Sequence, residues 1–177
     1  MAANTALVVV DVQNIMFETP GFTPYQGQRV LEVIKGLISC ARETKTPVVY
    51  IQHTTDAPGS EFEKDSRNWL VHPDVAPRAD DPVCLKYSYD AFLDTDLHAT
   101  LKKLCASRLI LCGLQTEVCI DTTVRSALFH GYESVIASDG HTTYDKDVAS
   151  AKTIVDLHND VWQGRFGQVM PARDVEF

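Results

Sequence analysis

A chain of 177 residues, 45% apolar and 23% charged, has the size and composition of one soluble domain with a sizeable core. Its net charge of −8 comes with no cluster of lysine and arginine. Nucleic acid and anionic membranes are therefore poor partners, because phosphate binding needs concentrated positive charge. No stretch approaches the roughly 18 consecutive apolar residues of a membrane span. The opening Met1-Ala2-Ala3-Asn4 lacks the charged start of a signal peptide. A single cytoplasmic domain over residues 1–177 is the expectation.

Strand and helix patterns alternate along the chain. Ala6–Val10 is a short β-branched run, the look of a strand buried on both faces. Val30, Val33, Ile34, Leu37, Ile38 and Ala41 recur at helical spacing and predict a helix over 27–45. Pro47–Ile51 reads as the second strand. Residues 54–81 are punctuated by Pro58, Gly59, Pro73 and Pro77, with Pro82 just beyond, yet also carry Phe62, Trp69 and Leu70, which a solvated linker would not need; they predict an ordered wall of a site. Val83–Tyr87 is the third strand. A helix marked by Leu97, Leu101 and Leu104 follows, with Asp94 or Thr95 as its cap. Leu109–Cys112 is the fourth strand, ending at Gly113. Ile120, Val124, Ala127 and Leu128 mark a helix closed by Gly131. Ser134–Ala137 is a fifth strand, 146–163 a last helix, and the tail from Phe166 to Val175 can add a sixth strand. Such repeats build a three-layer α/β/α, Rossmann-like fold around a mainly parallel sheet of five to six strands.

In open parallel sheets ligands bind outside the carboxyl ends of the strands. Three reactive side chains fall there: Asp11 after the first strand, Lys86 near the end of the third, and Cys119 in the first turn of the helix after the fourth. A helix start favours thiolate, and a nearby ammonium adds to this, so a lowered pKa is expected for Cys119. Asp11 then suits a general base and later a general acid, and the free amides at the helix start suit an oxyanion hole. The other four cysteines, Cys40, Cys84, Cys105 and Cys112, read as inert core thiols; the odd count and the lack of CxxC suggest neither a disulfide framework nor a zinc knuckle. GxGxxG, GxxxxGK[ST], HExxH and GxSxG are absent. Gln13, Phe17, Trp69 and Tyr87 are candidates to line a pocket, against core packing for Phe17 and loop anchoring for Trp69. His141 and His158 read as locally hydrogen-bonded.

These residues resemble the isochorismatase-like cysteine hydrolases, a group that includes nicotinamidases and N-carbamoylsarcosine amidohydrolase. Leu7-Val-Val-Val-Asp11-Val-Gln13-Asn14 is similar to the opening strand of that family. Lys86 with Ser88 and Ala91-Phe92 resembles its lysine segment, and Gly113-Leu-Gln-Thr116-Glu-Val-Cys119 its G-x-x-T-x-x-C signature. The resemblance implies Cys119 as nucleophile, Asp11 as base and acid, and Lys86 as the group that orients Asp11. It further implies a cis peptide between Leu114 and Gln115 that aims the Gln115 amide, with that of Cys119, at an oxyanion. The implied reaction is hydrolysis of an amide-type C–N bond in a small molecule through a thioester, without a cofactor, in a homo-oligomer (dimer or tetramer). Nicotinamidases hold a metal through an Asp-x-His pair after the second strand; here that place reads Ile51-Gln52-His53, so no metal is carried over. His53 remains a candidate for the substrate site, alone or with His72. Two alternatives stay open: a vinyl-ether or ester hydrolase on the same scaffold, and a non-enzymatic ligand-binding module.

Overall fold

The computed structural model describes residues 4–19 and 23–177; Met1–Ala3, part of the segment read above for a leader, lie outside them. Six strands form one wholly parallel sheet: β1 (Thr5–Val10), β2 (Val48–His53), β3 (Val83–Lys86), β4 (Arg108–Leu114), β5 (Glu133–Thr142) and β6 (Gln168–Met170). The helices are α1 (Ile15–Glu18), α2 (Gly27–Glu43), α3 (Leu97–Lys103), α4 (Asp121–Phe129) and α5 (Ala151–Trp162). Strand order is β3-β2-β1-β4-β5-β6. The chain builds outward from β1 to β3 and then restarts on the other side of β1 with β4. The carboxyl ends of β1 and β4 therefore flank a topological switch point, where neighbouring connections diverge and leave a crevice.

The pleat sends alternate side chains of β1 to opposite faces, and each face has its own core. Ala6, Val8 and Val10 join Leu109 and Leu111 beneath α3, α4 and Trp162 of α5. Leu7 and Val9 join Tyr50, Ile110 and Cys112 beneath Val30, Leu31, Ile34, Leu37 and Ala41 of α2. This is the three-layer sandwich expected from a strand that is apolar on both faces. Gly113 permits a close approach of the two central strands, β1 and β4. Its φ is +129°, and a Cβ there would sit 1.9 Å from the Val10 carbonyl oxygen.

Several boundaries differ from the pattern-based expectation. The last helix starts at Ala151, capped by Ser150 accepting from the Thr153 amide at 3.2 Å; residues 146–150 form a turn instead. β5 runs to Thr142, past the apolar stretch that marked it, because its end keeps pairing with Gly113 and Leu114 across a register shift. The one-turn α1 left no readable period. Cys40 and Cys105 are exposed, which corrects their reading as core thiols, whereas Cys84 and Cys112 are buried. Cys40 falls on the solvent side of α2, and Cys105 follows α3 with φ +55°. No described helix is long and apolar enough to cross a membrane.

Candidate active site

Asp11 directly follows β1, Lys86 closes β3, and Cys119 lies in the wide turn Thr116–Ile120 that leads from β4 into α4. The sheet brings all three to one rim. Asp11 and Lys86 have no exposed surface and Cys119 is 6% exposed. Lys86 Nζ stands 2.8 Å from Asp11 Oδ2 and donates to Cys119 Sγ at 3.2 Å. It also donates to the Ser88 carbonyl at 2.9 Å and faces His53 Nδ1 at 3.1 Å. Four acceptors thus surround the three protons of one ammonium. Both carboxylate oxygens of Asp11 are buried, and apart from the Lys86 ion pair at Oδ2 neither has a hydrogen-bond partner among the described residues. Asp11 itself holds φ +51°, a conformation few non-glycine residues adopt and one that concentrates at functional sites.

The electrostatics of the trio are those of two acids competing for one cation. Desolvation works against the Lys86 charge, but the Asp11 carboxylate and then Cys119 outweigh it and hold the ammonium above its ordinary range. Burial, and next the Asp11 charge, push the Cys119 thiol well above its ordinary range, although Lys86 pulls the other way. The resting thiol is therefore protonated, which corrects the expected lowering by the helix start. A partial helix charge does not offset near-complete burial beside a carboxylate. Burial, then the Lys86 charge, lower the His53 pKa, so its ring is neutral and offers a bare Nδ1 to the ammonium.

The turn that carries Cys119 is wound more widely than an α-helix. The Gln115 carbonyl accepts from the amides of Val118 at 3.2 Å and Ile120 at 3.1 Å, and the Leu114–Gln115 peptide is cis. Helical residues continue without a break to Phe129, so the turn forms the positive end of that run. Residues 5–172 match the isochorismatase domain. The chain belongs to the isochorismatase family. Streptothricin hydrolase of Streptomyces noursei is 36% identical over 140 residues, which cover 79% of this chain and 50% of that protein; the chain spans about half of that relative's length. The uncharacterized isochorismatase family protein YddQ of Bacillus subtilis is 31% identical over 140 residues, 78% of either chain. Among solved structures, a cysteine hydrolase from Pseudomonas syringae pv. phaseolicola has a TM-score of 0.91 at 25% identity, covering 97% of this chain and 90% of that one.

In this isochorismatase-family hydrolase the pocket candidates divide. His53 joins the trio through Lys86, and its ring meets Phe62 edge-on with centroids 4.8 Å apart and lies nearly parallel to exposed Tyr89 at 6.3 Å. Gln13 does not line a pocket. Fully buried, it donates to the carbonyls of His53 at 2.9 Å and Trp69 at 2.7 Å and accepts from the His53 amide at 3.0 Å. Its amide has no hydrogen left for a ligand, and its role is to bind the 54–72 segment to the ends of β1 and β2. Trp69 anchors the same segment: its indole donates to Thr54 Oγ1 at 2.9 Å and its carbonyl also accepts from Gln52 at 2.7 Å. Phe17 packs on the α2-side core with its ring edge-on to His72 at 5.3 Å. Tyr87 is 56% exposed. His72 accepts from the Asp74 amide at 3.3 Å and starts the turn Pro73–Val75, a task separate from that of His53. Among the described residues, no three His, Cys, Asp or Glu side chains gather as metal ligands do. The sequence reading missed Ser88 as a lysine acceptor and Tyr89 as the neighbour of His53; neither contact has a local pattern.

Proposed function

We propose that this protein hydrolyses an amide-type C–N bond of a small molecule through a thioester on Cys119. The observation that carries the reading is the single buried ammonium of Lys86 in contact with both the Asp11 carboxylate and the Cys119 sulfur. In the resting arrangement Asp11 carries the negative charge and Cys119 its proton. When substrate enters, the thiol proton passes to Asp11 as sulfur attacks the carbonyl carbon. Lys86 keeps its charge throughout and follows the anion from one partner to the other, which its surplus of acceptors permits. The backbone amides of Gln115 and Cys119 are the proposed donors to the tetrahedral oxyanion. Collapse breaks the C–N bond as Asp11 returns the proton to the leaving amine. A water deprotonated by Asp11 then cleaves the thioester, releasing the carboxylic product and restoring the thiol.

A site with so little exposed surface suits a small substrate and favours charge chemistry, because few waters screen it. The name of the Streptomyces noursei relative, a hydrolase, is consistent with this class. The test is a panel of small amides and carbamoyl compounds, with amine or ammonia release as the signal. Turnover is expected to persist in chelator and to vanish in Cys119→Ala, and acid quenching should leave an acyl mass on the peptide that contains Cys119. Turnover that survives in Cys119→Ala overturns the nucleophile assignment and favours direct attack by water on an ester or vinyl ether.

A further inference from the structure

His141 lies near the end of β5, fully enclosed, and the proposed chemistry makes no use of it. Both its ring nitrogens are nonetheless engaged, and their partners are on two other elements. Nε2 lies 3.0 Å from Asn159 Oδ1 on α5, and Nδ1 lies 2.9 Å from Thr116 Oγ1, the residue that opens the turn bearing Cys119. The direction of this chain of hydrogen bonds follows from its far end. Asn159 Nδ2 donates to the Ser138 carbonyl at 3.1 Å, and a carbonyl only accepts. The asparagine oxygen must therefore face His141, so the proton of the imidazole is on Nε2. A neutral ring protonated there has a bare Nδ1, and the Thr116 hydroxyl must donate to it. Burial, the larger cause, lowers the His141 pKa to about 4, which keeps the ring neutral in near-neutral solution. Trp162 meets the ring edge-on at 5.1 Å, which leaves it little room to rotate.

We infer that His141 is a positioning residue for Cys119: by accepting the Thr116 hydroxyl proton it ties the Thr116–Ile120 turn to β5 and α5 and holds the sulfur in register with Lys86 and Asp11. The inference rests on the proposed function for its catalytic meaning, but its effect can be read on the thiol alone. Displacing a reacting group by about 1 Å can cost roughly a hundredfold in rate, and Thr116 is only three residues from the sulfur. Neither partner is exposed to water that could replace a lost bond.

The experiment uses two pairs of variants. His141→Asn puts an amide oxygen near the place of Nδ1 and keeps the acceptor for Thr116. His141→Gln reaches the place of Nε2 and keeps only the bond to Asn159. Thr116→Ser keeps the hydroxyl and Thr116→Val removes it at nearly constant volume. The readout is the rate of Cys119 alkylation by iodoacetamide, mapped by peptide mass, with exposed Cys40 and Cys105 as controls in the same molecule and the urea midpoint as the measure of folding. Cys119 alkylation is expected to slow tenfold or more in His141→Gln and Thr116→Val. It should return to within about threefold of the parent rate in His141→Asn and Thr116→Ser, with Cys40 and Cys105 unchanged. Equal Cys119 rates in His141→Asn and His141→Gln, or a parent rate in Thr116→Val, overturn the proposal. If a His141 variant fails to fold, the threonine pair decides the matter. Hydrolysis that survives Cys119→Ala would remove the proposed function, yet the alkylation contrast would still decide whether His141 positions the sulfur.

Discussion

Replacing Asp11 by asparagine should move two quantities in opposite directions. Asp11 Oδ2 and Cys119 Sγ share the Lys86 ammonium through contacts of 2.8 and 3.2 Å, so they stand no farther apart than about 6 Å, the two contacts laid end to end. At an effective dielectric near 20, a unit charge at that distance is worth about 3 kcal/mol. Removing the carboxylate should thus raise the thiolate fraction of Cys119 about a hundredfold at a pH where the thiol is mostly protonated. The small thiolate population then has the Lys86 ammonium to itself. Alkylation by iodoacetamide at pH 7 should accelerate by up to two orders of magnitude in Asp11→Asn. Hydrolysis should fall by roughly 10²–10⁴, since no group remains to give a proton to the leaving amine and to take one from the attacking water. Stopped alkylation with peptide mapping measures the first, and amine release the second. If alkylation and turnover fall together in Asp11→Asn, the thiol was already ionised at rest and the reasoning from its burial beside a carboxylate is wrong.

Gly113→Ala should be among the most damaging single changes, because its Cβ would lie 1.9 Å from the Val10 carbonyl at a φ that alanine resists; a loss above roughly 3 kcal/mol in urea unfolding is expected, or no soluble protein at all. Gln13→Ala orphans the His53 carbonyl and amide and one bond to Trp69. A loss on the order of 3 kcal/mol and faster limited proteolysis within 54–72 should follow, while an unchanged digestion pattern would reject the bracing role. His141 sets an acid-side dependence of stability. Its folded pKa of about 4 lies below the ordinary 6.5, so between these values the unfolded chain binds a proton that the folded one refuses. Stability is then fully present above pH 6.5 and falls by about 3 kcal/mol as pH drops towards 4. Urea midpoints of the parent and His141→Asn should converge over that window; parallel curves would refute the assignment.

The order of strands and helices, the two-faced burial of β1 and the trio Asp11, Lys86 and Cys119 were legible because each depends on local pattern or on a position at the end of an apolar run. Alternation of strand and helix forces a parallel sheet, and a parallel sheet gathers strand ends, so three distant residues could be placed on one rim without coordinates. The ionisation state of Cys119 was not legible. The helix start can be read from the chain, but burial and the distance to Asp11 are properties of packing, and they outweigh it. Gln13 misled for the same reason: two residues after Asp11 it looks like a ligand contact, and only the return of the 54–72 segment shows that its hydrogen bonds are already used. His141 was read as locally satisfied, and its partners turned out to lie on two other elements. The chain by itself determined which reactive groups exist and at which strand ends they stand, since that follows from periodicity. Only the tertiary structure decided which of them hold a proton and which are spoken for, because both depend on neighbours distant in sequence and on the exclusion of water.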